Sequence, residues 1–224
     1  MLVLGIDTAT KVCSVALTRD GQVLAEKNNT EGMVHSRRLL PEIDELLKTA
    51  QVQKEAIDLV AVSMGPGSFT GLRIGLATAE AFAYAQKKYL HGVDTLTALA
   101  HNIKTDKLIS PLIDAQKGNY YQALYQWQDG QLVCVAPTVI VSESQLWERI
   151  GNQACVLIGE CGKIKELPSN VELAPAELLL PKAVSVCAVA ERDFDPVVDK
   201  RIFGLEPYYI RRSEAEELWE KLHP

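Results

Sequence analysis

The stretch SMGPGSFTGLRIGLATAEAF, Ser63 to Phe82, constrains the fold more than any other. It follows the apolar run DLVAVSM, passes through a glycine loop and becomes a helix that only Arg73, Thr78 and Glu80 interrupt with polar groups. A helix apolar on all sides must be covered on all sides. One side therefore packs on a sheet, and the other needs a second helix or a partner chain. Gly71, Gly75 and Ala79 recur every fourth residue and predict a face nearly bare of side chains, with Leu72, Leu76 and Ala83 read as the other side. A bare face permits close approach of a helix. Either the predicted helix over Val34–Ala50 supplies it, or a partner does. The surface expected to meet a partner comprises Gly71, Gly75, Thr78, Ala79 and Phe82, with Leu39 and Ile43 from the Val34–Ala50 helix.

Strand, glycine loop and helix is also how many proteins hold phosphate, but the details fail here. A P-loop needs Gly-Lys-Ser/Thr after its four-residue spacer, whereas Gly71 is followed by Leu72 and Arg73. Thr70 stands where the dinucleotide pattern requires its third glycine. The helix start alone retains N–H groups that an anion could use.

The rest of the chain reads as alternating strands and helices. LVLGID, VCSVALT and QVLAEK form three strands, with Asp20-Gly21 as the turn between the second and third. A similar order restarts at LISPLIDA, continues through NYYQALYQW and Asp129-Gly130 to QLVCVA, and adds a helix near Ser142–Ile150 and a strand at ACVLIG. A short strand and helix are predicted near Tyr89–His101, and helices over Val184–Arg192 and Ser213–Leu222. Both halves begin with a strand ending in Asp, a weak sign of a duplicated unit. The expected division is residues 1–103 as a first lobe bearing the partner-binding helices and 104–212 as a second. Residues 213–224 form a last helix free to return to the first lobe.

Several chemistries are excluded or unsupported. Cys13, Cys134, Cys155, Cys161 and Cys187 are scattered without a Cys-x-x-Cys pair, so they read as inert thiols. The four histidines form no zinc pattern, and His35 beside Ser36 is only sequence adjacency. No catalytic residue, metal site or cofactor is assigned. A net charge of −6 is unsuited to holding nucleic acid without help. No apolar run approaches the ~20 residues of a membrane span, and MLVLGID lacks the flank of a signal peptide, so a cytoplasmic protein is expected. The acidic run Glu214, Glu216, Glu217 and Glu220 reads as a solvated helix face, and Arg211–Arg212 has no assigned role.

LGIDTATKVCSVAL, HSRRLLPEIDELL, DLVAVSMGPGSFTGLRIGLATAEAFA, LISPLIDAQKGNYYQALY and EPYYIRR together resemble the bacterial TsaB (YeaZ) family across nearly the whole chain. The resemblance implies a two-lobed fold of the actin/Hsp70/sugar-kinase type, mixed sheets flanked by helices. In actin-like ATPases and sugar kinases, two Asp-containing turns grip phosphates and a metal, with a glycine two residues after each Asp. Here Asp7-Thr8-Ala9 and Asp114-Ala115-Gln116 carry Ala9 and Gln116 at that position, which makes Asp7, Thr8 and Asp114 degenerate phosphate-turn candidates. GECG, Gly159–Gly162, is similar to an adenosine-binding turn. The resemblance further implies a role in forming N6-threonylcarbamoyladenosine in tRNAs that read ANN codons. The family serves as the non-catalytic partner of its paralogue TsaD, joined by the ATPase TsaE, and meets tRNA only through that complex. Self-pairing of the isolated chain stays open. The paralogue's metal-binding His-x-x-x-His pair aligns with Thr95 and Leu99, which cannot replace it. The alternatives are an ATP-dependent small-molecule kinase of the same fold and a glycoprotease-like peptidase.

Overall fold

The computed structural model describes residues 1–30, 35–199, 202–211 and 219. Two five-stranded mixed sheets account for the fold. The first contains β1 (Leu2–Asp7), β2 (Cys13–Arg19), β3 (Gln22–Asn29), β4 (Leu59–Ser63) and β5 (Tyr89–Val93), ordered β3-β2-β1-β4-β5. The second contains β6 (Leu108–Gln116), β7 (Asn119–Gln128), β8 (Gln131–Ser142), β9 (Cys155–Gly159) and β10 (Val171–Leu173), ordered β8-β7-β6-β9-β10. Directions match as well as order. In each sheet the first three strands pair antiparallel, and the fourth and fifth add in parallel. The two halves are copies of one topology.

The hairpin turns form where the sequence places them, with Asp20-Gly21 and Asp129-Gly130 all at positive φ. Two helices cover one face of the first sheet: α1 (His35–Thr49), through Leu39, Ile43 and Leu46, and α2 (Phe69–Gln86), through Leu76, Ala79 and Ala83. The opposite face receives α5 (Ala183–Asp193), where Ala183, Val186 and Cys187 meet Val3, Ala16 and Leu59. β1 is thus buried on both faces, which its uninterrupted apolar sequence requires. Gly5 allows α5 to come this close, since a Cβ there would stand 2.5 Å from the Ala183 carbonyl oxygen.

On the second sheet, α3 (Thr95–Ala100) packs Leu96 and Leu99 against Ile109 and Ile158. α4 (Glu143–Ile150), opened by a capping box at Ser142, packs Leu146 and Ile150 on the other face. The helices do not respect the division of the sheets. α3 follows β5 of the first sheet but covers the second, while α5 follows β10 of the second but covers the first. The helix expected over Ser213–Leu222, with its acidic face, lies outside the described residues. Among the described residues no helix is long and apolar enough to cross a membrane.

Candidate functional site

The two Asp turns lie at the carboxyl ends of β1 and β6, the usual place for a ligand in open α/β sheets. At the first, Asp7 is buried. Its Oδ1 accepts the Ala9 amide at 3.0 Å and its Oδ2 accepts the Ser63 hydroxyl at 2.5 Å. Burial pushes its carboxyl above the usual range, against the pull of these two hydrogen bonds. Thr8, also buried, donates from Oγ1 to the Gly71 carbonyl at 2.8 Å, and the Ser68 amide donates to the Ala9 carbonyl at 2.7 Å. A Cβ on Gly67 would stand 2.3 Å from that same Ala9 oxygen. The glycine loop is therefore pressed into the turn.

This contact settles what the loop's glycines do. Ser68 caps α2 by accepting the Gly71 amide, and the Gly65 amide donates to Thr95 Oγ1 at 3.0 Å. The Gly65, Ser68 and Gly71 amides are thereby engaged within the chain. Gly65, at φ +110°, lets the loop pass the Tyr208 carbonyl, which would lie 2.7 Å from a Cβ.

The second turn is more open. Asp114 Oδ1 accepts the Gln116 amide at 2.8 Å, and its Oδ2 pairs with Lys163 Nζ at 2.6 Å. Its own amide donates to Glu160 Oε2 at 2.8 Å. Burial raises the Glu160 carboxyl, opposed by the Asp114 amide and by the ammonium groups of Lys11, from the first turn, and Lys163. Asp114 thus already has a cationic partner in Lys163. Gly159 of the GECG stretch, at φ +104°, serves close strand packing, since its Cβ would lie 2.2 Å from the Leu112 carbonyl oxygen.

Thr95 and Leu99, the positions that the family resemblance sets against a metal-binding histidine pair, are both buried in α3. Thr95 holds the glycine loop through two bonds to Gly65, and Leu99 belongs to the core of the second sheet. Among the described residues no group of three His, Cys, Asp or Glu side chains could hold a metal. Burial pushes the thiols of Cys13, Cys155, Cys161 and Cys187 up to about 12, out of the reactive range, while Cys134 is exposed.

The helix faces require a correction. Gly71, Gly75 and Ala79 do not leave a bare outer face but point inward. A Cβ on Gly71 would lie 2.0 Å from the Thr8 carbonyl oxygen, and one on Gly75 would lie 2.3 Å from Thr8 Oγ1. Leu39 and Ile43 are likewise core residues beneath α1, at 1% and 2% exposure. Of the seven residues expected to meet a partner, only Thr78 and Phe82 reach the surface, both half-buried. The surface of α2 is instead built by Thr70, Arg73, Ala77, Ala81, Tyr84 and Ala85. Ala77, Ala81 and Ala85 repeat every fourth residue, so the helix does present a small-residue ridge, on a different face. The phase went astray because residues 71 and 72 lie only ~100° apart. The glycine row and the leucine row form one continuous inward arc.

The family model described as TsaD: tRNA N6-adenosine threonylcarbamoyltransferase matches residues 24–160. The tRNA threonylcarbamoyladenosine biosynthesis protein TsaB of Escherichia coli strain K12 is 33% identical, covering 99% of this chain and 98% of that one. The protein of the same name from Bacillus subtilis strain 168 is 36% identical over 98% of each chain. Among solved structures, YeaZ from Pseudomonas aeruginosa superposes with a TM-score of 0.81 at 25% identity, covering 93% of this chain and 99% of the other.

Proposed function

This chain belongs to the TsaB family, and on that premise we propose that it takes part in forming N6-threonylcarbamoyladenosine in tRNA as the non-catalytic partner of a TsaD-type transferase. The observation that carries this reading is the contrast between a filled turn and an exposed ridge. Thr8 and Ala9 are packed under the glycine loop, and the residues at the aligned metal positions, Thr95 and Leu99, belong to the loop anchor and the core. The Ala77–Ala81–Ala85 ridge, by contrast, is uncharged and open to a helix of the partner. Helices meet at 8–10 Å depending on the side chains between them, and a row of alanines permits the short end of that range. The chain then acts by association, with a TsaE-type ATPase joining the assembly and tRNA reached through the complex in the cytoplasm. Its formal charge of −6 suits that division, since direct affinity for a phosphate backbone needs clustered cations.

The test is Ala81→Trp. Ala81 is exposed, so the monomer's melting temperature is expected to stay close to that of the wild type. Calorimetric titration with a TsaD-type subunit is expected to show a dissociation constant raised at least about tenfold, equivalent to ~1.4 kcal/mol. Unchanged affinity with an unchanged monomer would remove the ridge from the interface.

A further inference from the structure

The motif EPYYIRR near the carboxyl end is not absorbed by either Asp turn or by the ridge, and its course through the molecule is specific. Leu205 packs against the first sheet's core. The Tyr208 amide then donates to the Met64 carbonyl at 2.6 Å, directly after β4. The Tyr209 ring stacks on Phe69 with centroids 4.3 Å apart and planes 4° from parallel, and its hydroxyl accepts Arg73 Nε at 2.9 Å. These contacts are with the core of the first sheet, the glycine loop and α2. The next residue, Ile210, packs into the core of the second sheet. Arg211 Nη1 donates to the Ala115 carbonyl at 2.9 Å and to Gln116 Oε1 at 3.3 Å, on the second Asp turn. Within three residues the chain has crossed from one sheet to the other.

Two units of this size move relative to one another unless something spans them. α3 and α5 tie the sheets at the helices, whereas residues 208–211 tie them between the glycine loop of the first sheet and the second Asp turn. We infer that Tyr208–Arg211 is a built-in clasp that fixes the angle between the two sheets, a part of this chain doing the bridging of a ligand. The clasp also bears on the glycine loop and the first turn of α2 through Gly65, Phe69 and Arg73. Any effect of opening it on partner affinity rests on the reading proposed above, whereas the fixing of the angle does not.

The test measures the angle itself. Spin labels at Gln22 on β3 and Glu148 on α4, both exposed, report on the two sheets, with Cys134→Ser removing the exposed thiol. Pulsed electron resonance on the labelled full chain is expected to give one narrow distance distribution. Arg211→Ala, which leaves the Tyr209 stack intact, and Tyr209→Leu, which leaves the arginine contacts intact, are each expected to broaden or shift it. If one variant does not fold, the other decides. A folded variant whose distribution coincides with the parent's overturns the clasp and reduces the segment to a packed tail.

Discussion

Asp7 is the residue at which fold and chemistry bear most directly on one another. A carboxylate at the end of β1 reads as a phosphate or metal contact, but here the protein turns it inward onto Ser63 and Ala9. Burial sets its pKa above that of an unfolded aspartate, so the native chain holds the proton more readily than the unfolded chain does. Asp7 therefore favours the folded state below its ordinary pKa and loses that advantage as pH rises through the folded value. At neutral pH, above the unfolded value, Asp7 therefore costs stability relative to a neutral side chain of the same shape. Asparagine can keep both hydrogen bonds without the charge, its oxygen accepting the Ala9 amide and its amide donating to Ser63. Asp7→Asn is thus expected to melt above the wild type at neutral pH, with the difference shrinking as pH falls toward the carboxylate range. Melting curves of both proteins between about pH 4 and pH 7 check this. A variant that melts lower at neutral pH would mean that the charge is needed, as it is in a working phosphate turn.

At the scale of elements, α2 carries the account. Its inward face is closed by contact with Thr8, and the two glycines meet that residue differently. A Cβ on Gly75 would collide with a side-chain hydroxyl, while one on Gly71 would collide with backbone. Gly75→Ala is expected to destabilise the monomer, because overpacking of ~1–3 kcal/mol exceeds the roughly 1 kcal/mol gained in helix propensity. Adding Thr8→Ala should recover most of that loss, a coupling within the ~0.5–3 kcal/mol typical of contacting residues. Gly71→Ala should gain nothing from the same background. Equal rescue at both positions, read in a double-mutant cycle of melting, would show that the clash at Thr8 is not the cause. Most elements of this fold are legible in the sequence. Alternation and helical period place β1–β9 and α1–α5, and turn residues place both hairpins. The orientation of α2 is not legible, because a helix of Leu, Gly and Ala has no polar stripe to set its phase. β10, three residues long, is below what periodicity can register. The pairing of α5 with the first sheet and the course of Tyr208–Arg211 depend on contacts between distant residues, of which Gly5 and Gly65 are the only local traces.

At the scale of the whole molecule, two copies of one topology have diverged in how their turns are used. The first is filled by the loop that starts α2, and the second is neutralised by Lys163 and touched by Arg211. On the function proposed above, a protein organised this way contributes to the reaction through the surface it offers rather than through its two Asp turns. The rate of N6-threonylcarbamoyladenosine formation in a mixture reconstituted with a TsaD-type subunit separates the two sites, comparing Ala81→Trp on the ridge with Asp114→Asn at the second Asp turn, the cleft side of the molecule. Ala81→Trp is expected to lower the rate to that of a mixture without this chain, while Asp114→Asn is expected to leave it at the wild-type level. A rate that survives Ala81→Trp and collapses with Asp114→Asn would place the function in the cleft and contradict the account.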